Sequence, residues 1–552
     1  MNKPDKLLIN NKITIKECFN KLNKTQEKLL IVTNKSKKFI GVINDGDIRR
    51  ALLNGANLRD SIDKFVNKKS LFTYDTTNKS QALQLLTSKK IVIPVVNIKN
   101  FVVGYYSLKD KYSFNEFNSN DVTIIGMGYV GLTLACVLAE KKFNVIGFDK
   151  NSNLIKKLNN KKTDIYEMGL QSHLEASLNI NLKFKTELKT NDSSVYIISV
   201  GTFINKRKEP ILSDIKSAVS HISKYLQKGN LIIFRSTLPI GTTRNILIPL
   251  INKKSKYRVG KDISVAFAPE RTIEGAALKE LKENPQIIGG YDDISASKAI
   301  TFFNKFSPTV IKVSSLEAAE LSKLIDNAYR DNKFAFINQF VPLAEKLKID
   351  LSNVVDAVNQ GYARNNIPKP SPGVGGTCLY KDPHILAQSF KNYKLNNSLI
   401  KNSRKINETG HKYLYSKLIK MLKILDKKSN VKIFLIGIAF KGYPETSDIR
   451  ESTSVWFLSQ FKSKKNIYAF DYNVTKNTIE KLGVKFAKLN QGFKNADAVV
   501  FLNNNKRYGQ LNINKLANLM KKPAVFLDSW HIFDPEQIKN IKGIFYGGLG
   551  ND

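Results

Sequence analysis
Residues 122–150 read VTIIGMGYVGLTLACVLAEKKFNVIGFDK, and their order decides the fold. A β-branched run ends at Gly126, Gly128 and Gly131 follow, and an apolar-periodic stretch leads to a second strand-like run, NVIGFD. Gly126 permits a tight turn, Gly128 lets backbone approach a pyrophosphate, and Gly131 lets helix and strand pack closely. Asp149 lies 23 residues after Gly126, at the end of the second run, where a carboxylate can hold adenosine ribose hydroxyls. Together these features predict a dinucleotide-binding domain. Asp149 would repel a 2′-phosphate, so NAD is expected over NADP, with Lys150 beside it pulling the other way.

Downstream, several non-repetitive strings follow in a fixed order. They are IYEMGL (165–170), SVYIISVGT (194–202), FRSTLPIGTT (234–243), APERTIEG (268–275), AAELSKLIDNAYRD (318–331) and RNNIPKPSPGVGGTCLYKD (364–382). The last, IFLIGIAFKGYPETSDIRES (433–452), opens a second strand–turn–helix unit. Further strand signals, NIYAFD, DAVVFL and AVFLDS, alternate with helical patterns as a parallel sheet requires.

Three features of these strings suit an oxidation. Cys378 sits after a glycine-rich stretch that opens a helix, whose N-terminal dipole would stabilise a thiolate. Lys323 and Asn327 are four residues apart and project from one helix face, suiting an oxyanion. Thr237 stands at a strand end before a proline turn, at the carboxyl edge of the sheet where such folds bind ligands. Cys18 and Cys136 lie in apolar-periodic stretches and read as small buried hydrophobes.

Over about 430 residues, with its motifs in family order, the chain resembles the UDP-glucose/GDP-mannose dehydrogenase family of four-electron nucleotide-sugar dehydrogenases. The resemblance implies that Cys378 traps a sugar aldehyde as a thiohemiacetal, which loses a second hydride to give a thioester that water hydrolyses. It implies Lys323 as the catalytic lysine with Asn327 as its partner, and Asp382 working with them in proton removal, as a carboxylate paired with Lys323. It implies Glu270 as base or positioner of the hydrolytic water, and Thr237 as holder of a water near the nicotinamide. Tyr129, Val130, Thr202 and Arg450 would join the glycines and Asp149 at the cofactor. Glu274, Arg364, Gly375, Gly376 and Lys441 would meet the substrate, Arg364 reaching a diphosphate across a subunit boundary. His384 is read as structural. PGVGGTC and APERTIEG lean towards the branch acting on UDP-N-acetylhexosamines, with UDP-glucose and GDP-mannose as alternatives. Where family members usually carry Asn-Glu, this chain has INQ (337–339), read as a local helix variation.

The first 115 residues carry a repeat of their own. LLIVTNKSKKFIGVINDGD (29–47) aligns with VIPVVNIKNFVVGYYSLKD (92–110) at an offset of 63, pairing Val32 with Val95, Gly41 with Gly104, Asn44 with Ser107 and Asp47 with Asp110. In each copy a small polar residue can cap a helix and touch a phosphate, and an Asp three residues on can hold ribose hydroxyls. This resembles a pair of cystathionine-β-synthase-type (CBS) modules, and implies a possible adenine nucleotide as regulatory ligand; the alternative is that Asn44, Asp47, Ser107 and Asp110 are ordinary caps.

The expected architecture is α/β, with two Rossmann-like doubly wound domains joined by a helical dimerisation segment and preceded by an α+β CBS pair. The boundaries are 1–112 (CBS pair), 113–120 (linker SFNEFNSN), 121–313 (NAD), 314–413 (helical) and 414–552 (nucleotide of the substrate).

Composition narrows the partners. The chain has 552 residues, 88 basic and 47 acidic, for a formal charge of +41. Only 13 of the basic residues are Arg, and Lys is scattered evenly beside Asn and Ile, so no nucleic-acid partner is expected. Three cysteines without a CxxC pair exclude a disulfide framework and suggest no metal. With no apolar core at the N-terminus, a cytoplasmic protein without a membrane partner is expected. Two rivals remain: a two-electron hydroxyacid or 6-phosphogluconate-type dehydrogenase, which has no use for Cys378, and a non-catalytic nucleotide sensor, which needs none of Cys378, Lys323 and Glu270.

Overall fold
The computed structural model describes residues 2–25, 29–77, 82, 85–86, 91–107, 120–189, 193–427 and 430–551. The chain divides into two compact units, Met1–Phe117 and Asn118–Asp552.

In the first unit, the repeat appears as two three-stranded sheets. Leu8–Asn10, Leu29–Thr33 and Phe39–Asn44 form one; Thr73–Tyr74, Val92–Val96 and Val102–Ser107 form the other. The registers coincide at the offset of 63: Val32 opposes Gly41 with a bulge after it, and Val95 opposes Gly104 likewise. A Cβ on Gly41 would meet the Asn67 carbonyl at 2.4 Å, so the strand tolerates no side chain there. One core joins both copies, Ile31, Val32 and Ile43 with Val92, Val96 and Tyr105, and it buries Cys18.

The second unit holds two parallel-sheet layers. Across the larger, the strand order is Val310–Lys312, Gln286–Gly290, Ser264–Phe267, Leu231–Phe234, Val195–Ile198, Asp121–Ile125, Asn144–Phe148, Leu182–Lys185. Only the Ser264–Phe267 and Gln286–Gly290 pair is antiparallel. The chain leaves Asp121–Ile125 towards one edge and later returns to its other side, which opens a crevice at the carboxyl end of that strand. The smaller sheet runs Lys485–Phe486, Ile467–Phe470, Ile433–Ile436, Ala498–Phe501, Ala524–Asp528, Ile544–Gly548, parallel throughout, with the same reversal beside Ile433–Ile436.

Between the sheets run the helices Leu316–Asn338, Thr377–Asn392 and Ser398–Ile424. The first inverts ordinary amphipathicity. Lys323, Asn327 and Asp331, spaced by four, are buried, whereas Ile325, Tyr329 and Phe336 are exposed. Buried Arg404 answers the inward polar stripe: its Nη1 donates to Asp331 Oδ1 at 2.5 Å, and both Nη atoms reach the Val374 carbonyl. Asn407 adds a second donor to Asp331 at 2.8 Å, so the glycine-rich stretch before Cys378 is pinned to two helices. Gln339 closes the helix Leu316–Asn338, placing the INQ departure at its end. No helix among the described residues is long and apolar enough to cross a membrane.

Candidate active site
The glycines of residues 126–131 behave as their positions require. Gly126 has φ +94°, and a Cβ on Gly131 would lie 1.8 Å from the Gly126 carbonyl oxygen. Gly128 caps the helix Tyr129–Glu140, leaving the Tyr129 and Val130 amides at its positive end. Asp149 is engaged by backbone: Oδ2 accepts from Met127 N–H at 2.8 Å and Oδ1 from Asn151 N–H at 2.9 Å. It therefore fixes the glycine turn as well as facing the crevice. Lys150, largely exposed, forms an ion pair with Asp214 at 3.0 Å. Thr202 is buried, and its hydroxyl has no partner among the described residues. A glycine cradle, a carboxylate at the strand end and an orphaned hydroxyl fit NAD. Asp149→Ala is expected to raise the KM for NAD about tenfold, since a charge-assisted hydrogen bond is worth roughly 1.5 kcal/mol; an unchanged KM in steady-state kinetics would count against this placement.

Lys323, Asn327, Asp382 and Cys378 come from two packed helices. Asn327 Nδ2 donates to Asp382 Oδ2 at 2.5 Å, and its carbonyl accepts from Arg330. Asp382 is fully buried, and its ion-pair partner is Lys381, Nζ to Oδ1 at 2.6 Å. This corrects the expected Lys323–Asp382 pairing. Lys381 is adjacent in sequence and folds back over its neighbour, leaving Lys323 with no hydrogen bond among the described residues. Cys378 is exposed and is the second residue of its helix. Lys381, Lys441 and Arg450 all lie within electrostatic reach of it. Cys18 and Cys136 are buried, and burial pushes both thiols up to about 12. His384 pairs with Glu408 at 3.1 Å.

Glu270 is buried with every oxygen occupied. Oε2 accepts from Arg235 Nη2 at 2.5 Å, and Oε1 accepts the Arg271 and Thr272 amides at 2.8 Å each. Burial opposes its charge, but Arg235 and these donors, with Lys323 beyond, prevail and hold the carboxyl below its usual range. Such a group can orient a water but is a weak proton acceptor. Arg235 and Lys381 are the partners that sequence reasoning missed. Arginine is scarce in this lysine-rich chain, so Arg235 inside FRSTLPIGTT carried a signal of its own. Thr237 lies just past the end of strand Leu231–Phe234, as expected.

Segment 440–452 closes over residues 270–275. Lys441 Nζ donates to the Glu274 carbonyl at 2.6 Å, and Thr446 Oγ1 to Glu274 Oε2 at 3.3 Å. Gly275 N–H donates to Glu167 Oε2 at 2.8 Å, and the Tyr129 hydroxyl joins the same carboxylate. Burial, reinforced by Asp448, raises Glu274 to about 7, while burial lowers Lys441 to about 8 against the pull of Glu274. Arg450, exposed, is clamped by Asp448 through Nε at 3.0 Å and Nη2 at 2.6 Å. Gly375 and Gly376 are buried under this segment. A Cβ on Gly375 would meet the Glu451 carbonyl at 2.1 Å, and one on Gly376 the Phe440 ring at 2.5 Å. Both glycines thus serve close contact between chain segments. Arg364 stacks on Tyr362 at 4.8 Å on an exposed loop and is not brought to the other residues.

Lys441 is charged below about 8, and Glu274 supports that charge once ionised above about 7. kcat/KM for an anionic substrate is expected to fall as pH rises through about 8. In Glu274→Gln the descending limb should move to lower pH, because the carboxylate that holds Lys441 up is gone. A limb that stays in place would remove Lys441 from that role.

In the first unit, Asn44 and Asp47 cap the helix Asp45–Leu53 reciprocally, at 2.9 and 3.0 Å, and Asp47 also pairs with Arg50. Asp47 lines a cavity of about 780 Å³ together with Lys12, Arg50, Asp60, Asp63 and Lys64. Ser107 ends the last strand of its sheet and is buried; Asp110 and 113–119 of the expected linker lie outside the described residues. No cluster of metal-ligating side chains occurs among the described residues.

Against known proteins, residues 120–307, 317–409 and 434–535 match the NAD binding, central and UDP binding domains of the UDP-glucose/GDP-mannose dehydrogenase family, and residues 3–54 match a CBS domain. The UDP-N-acetyl-D-mannosamine dehydrogenase of Methanocaldococcus jannaschii is 32% identical over 427 residues, covering 75% of this chain and 93% of its own. The Campylobacter jejuni enzyme of the same name is 32% identical over 416 residues, 73% and 99% of the two chains. A solved structure of UDP-D-ManNAc dehydrogenase from Pyrococcus horikoshii superposes with a TM-score of 0.69 at 29% identity, covering 78% of this chain and 99% of that one.

Proposed function
The chain belongs to the UDP-glucose/GDP-mannose dehydrogenase family and is an NAD-dependent nucleotide-sugar dehydrogenase, and from that premise we propose that it oxidises the C6 hydroxyl of a UDP-N-acetylhexosamine to the uronic acid, with Cys378 as nucleophile. The relatives named for UDP-N-acetyl-D-mannosamine support the substrate class. The observation that carries the chemistry is the exposed Cys378 at a helix start, three residues from a lysine paired with Asp382, which in turn holds Asn327.

In this reading Lys323, free of other hydrogen bonds among the described residues, and the Asn327 amide stabilise negative charge on the C6 oxygen. Asp382 holds Asn327 and manages the proton through a water. NAD, when bound, would supply the hydride acceptor, one NAD per oxidation and so two per sugar, and residues 126–131, Asp149 and Thr202 would hold it. Cys378 adds through sulfur to the aldehyde carbon, and water later displaces the sulfur from the acyl carbon. Glu270 orients that water, and Lys441 holds the anionic part of the substrate. Thr237 and Arg450 complete the nicotinamide and cofactor contacts.

The exposed face of Ile325, Tyr329 and Phe336 continues in Leu343, Leu347, Val354 and Val358, and is the surface of a homodimer. Tyr362 and Arg364 border that face in sequence, so Arg364 reaches the diphosphate of the partner's substrate. The enzyme works in the cytoplasm and supplies a uronic acid for surface polysaccharide; an adenine nucleotide at the N-terminal unit regulates it, which calorimetry with AMP and ATP tests.

The deciding experiment counts NADH per nucleotide sugar, with the sugar limiting, over a panel of UDP- and GDP-sugars. About two NADH per UDP-N-acetylhexosamine is the expected yield for four electrons. A yield of one would make this an alcohol-to-carbonyl enzyme and take Cys378 out of the mechanism.

A further inference from the structure
Glu320 is a buried carboxylate whose use the reaction as derived leaves unexplained. It is 1% exposed, on the helix Leu316–Asn338, one turn before Lys323. Three donors converge on it: Gly241 N–H to Oε2 at 2.5 Å, and Thr243 N–H and Oγ1–H to Oε1 at 2.9 and 2.6 Å. All three belong to the turn that follows Thr237. Gly241 has φ +85°, so the backbone there is committed to one tight course. The helix of Cys378 holds the same turn from its other side, since Ser389 Oγ accepts from Ile240 N–H at 3.2 Å. No cation pairs with Glu320 among the described residues. The charged groups that act on it are Glu317, one turn earlier, and Arg244, which pair with each other at 2.6 Å.

A buried charge held only by backbone and hydroxyl dipoles is costly, and capping a turn does not require one; neutral caps do that. What a carboxylate adds is acceptance of three donors at once from one fixed point. We propose that Glu320 is a positioning residue of the reaction: its carboxylate locks the Gly241–Thr243 turn to the Lys323 helix and so sets Thr237 against Lys323. The inference rests on the functional reading above. Only the ionised form does this, because a protonated oxygen would present a hydrogen to one of the donors. Burial, with Glu317 adding to it, raises the group to about 7, so the lock loosens as pH falls through that value.

The test is Glu320→Gln, which keeps the volume and puts an NH2 among the converging donors. kcat is expected to fall about 100-fold, the scale of an ångström-sized misplacement of a catalytic group. The KM values for nucleotide sugar and NAD should stay within about twofold, since Glu320 touches neither. The pH profile of kcat, read in wild type and in Glu320→Gln, should show a rising limb near 7 only where Glu320 is present. Running both proteins again in a Glu274→Gln background removes the other carboxyl that titrates there. Thr243→Val, which deletes one donor and retains the shape, should lower kcat about tenfold with the same KM pattern. An unchanged kcat in both variants, or a loss accompanied by a parallel rise in both KM values and a lower melting temperature, overturns the inference. If wild type yields no NADH from any nucleotide sugar, the functional reading falls and this inference with it. If wild type yields two and Glu320→Gln matches it, this inference alone falls.

Discussion
Cys378→Ser is expected to abolish net turnover, with kcat down by about 10⁴ or more, while NAD binding stays within about twofold of wild type. The two side chains are nearly isosteric and the position is exposed, so folding is not the cause. What changes is nucleophilicity. A serine hydroxyl is a far weaker nucleophile towards an aldehyde carbon than a cysteine sulfur, which here stands within electrostatic reach of Lys381, Lys441 and Arg450. Neither other thiol can substitute, because Cys18, in the first unit, and Cys136, in the second, are buried and are pushed up to about 12. The measurement is NADH yield under single-turnover conditions together with calorimetric titration of NAD. Up to one NADH per site, followed by arrest, fits a blocked second oxidation. Continued release of two per sugar would refute the covalent route.

Periodic and local features were legible in the sequence. The run VTIIGMGYVG allows one course only, because three glycines at that spacing between a strand and a helix serve one geometry. The 63-residue repeat was legible to the register, since Gly41 and Gly104 each stand opposite the valine that precedes the bulge, Val32 and Val95. Burial of Cys18 and Cys136 against exposure of Cys378 followed from apolar periodicity against a glycine-rich context. Pairings across the tertiary structure were not legible. Glu270 and Arg235 are 35 residues apart on neighbouring strand ends, and only the sheet order brings them together. The spacing of Lys323 and Asn327 placed them on one face, yet which lysine reaches Asp382 depends on how the helix Thr377–Asn392 rolls against its neighbour. Likewise a glycine announces that something lies close without naming it. For Gly375 and Gly376 the neighbours are Glu451 and Phe440, 76 and 64 residues further on.

The Arg235–Glu270 pair supports the second large prediction. Arg235→Met is expected to destabilise the protein by about 3–5 kcal/mol, because it strands a buried carboxylate rather than merely deleting a contact. In wild type the folded pKa of Glu270 lies below 4.5. Its contribution to stability is therefore present above about 4.5 and is lost as pH falls through the folded value. Without Arg235, burial prevails and the folded pKa rises above 4.5. The sign then reverses: the folded variant binds the extra proton, and its stability falls as pH rises above about 4.5. Unfolding measured at several pH values should thus show the deficit of Arg235→Met shrinking under mildly acidic conditions. The double substitution Arg235→Met with Glu270→Gln removes both charges and should recover most of the stability, without restoring turnover if Glu270 orients the hydrolytic water. A single variant as stable as wild type at neutral pH would mean that Glu270 takes Lys323 as its new partner. Lost activity would then trace to the capture of Lys323, which a simultaneous Lys323→Met substitution would expose as a fall in stability.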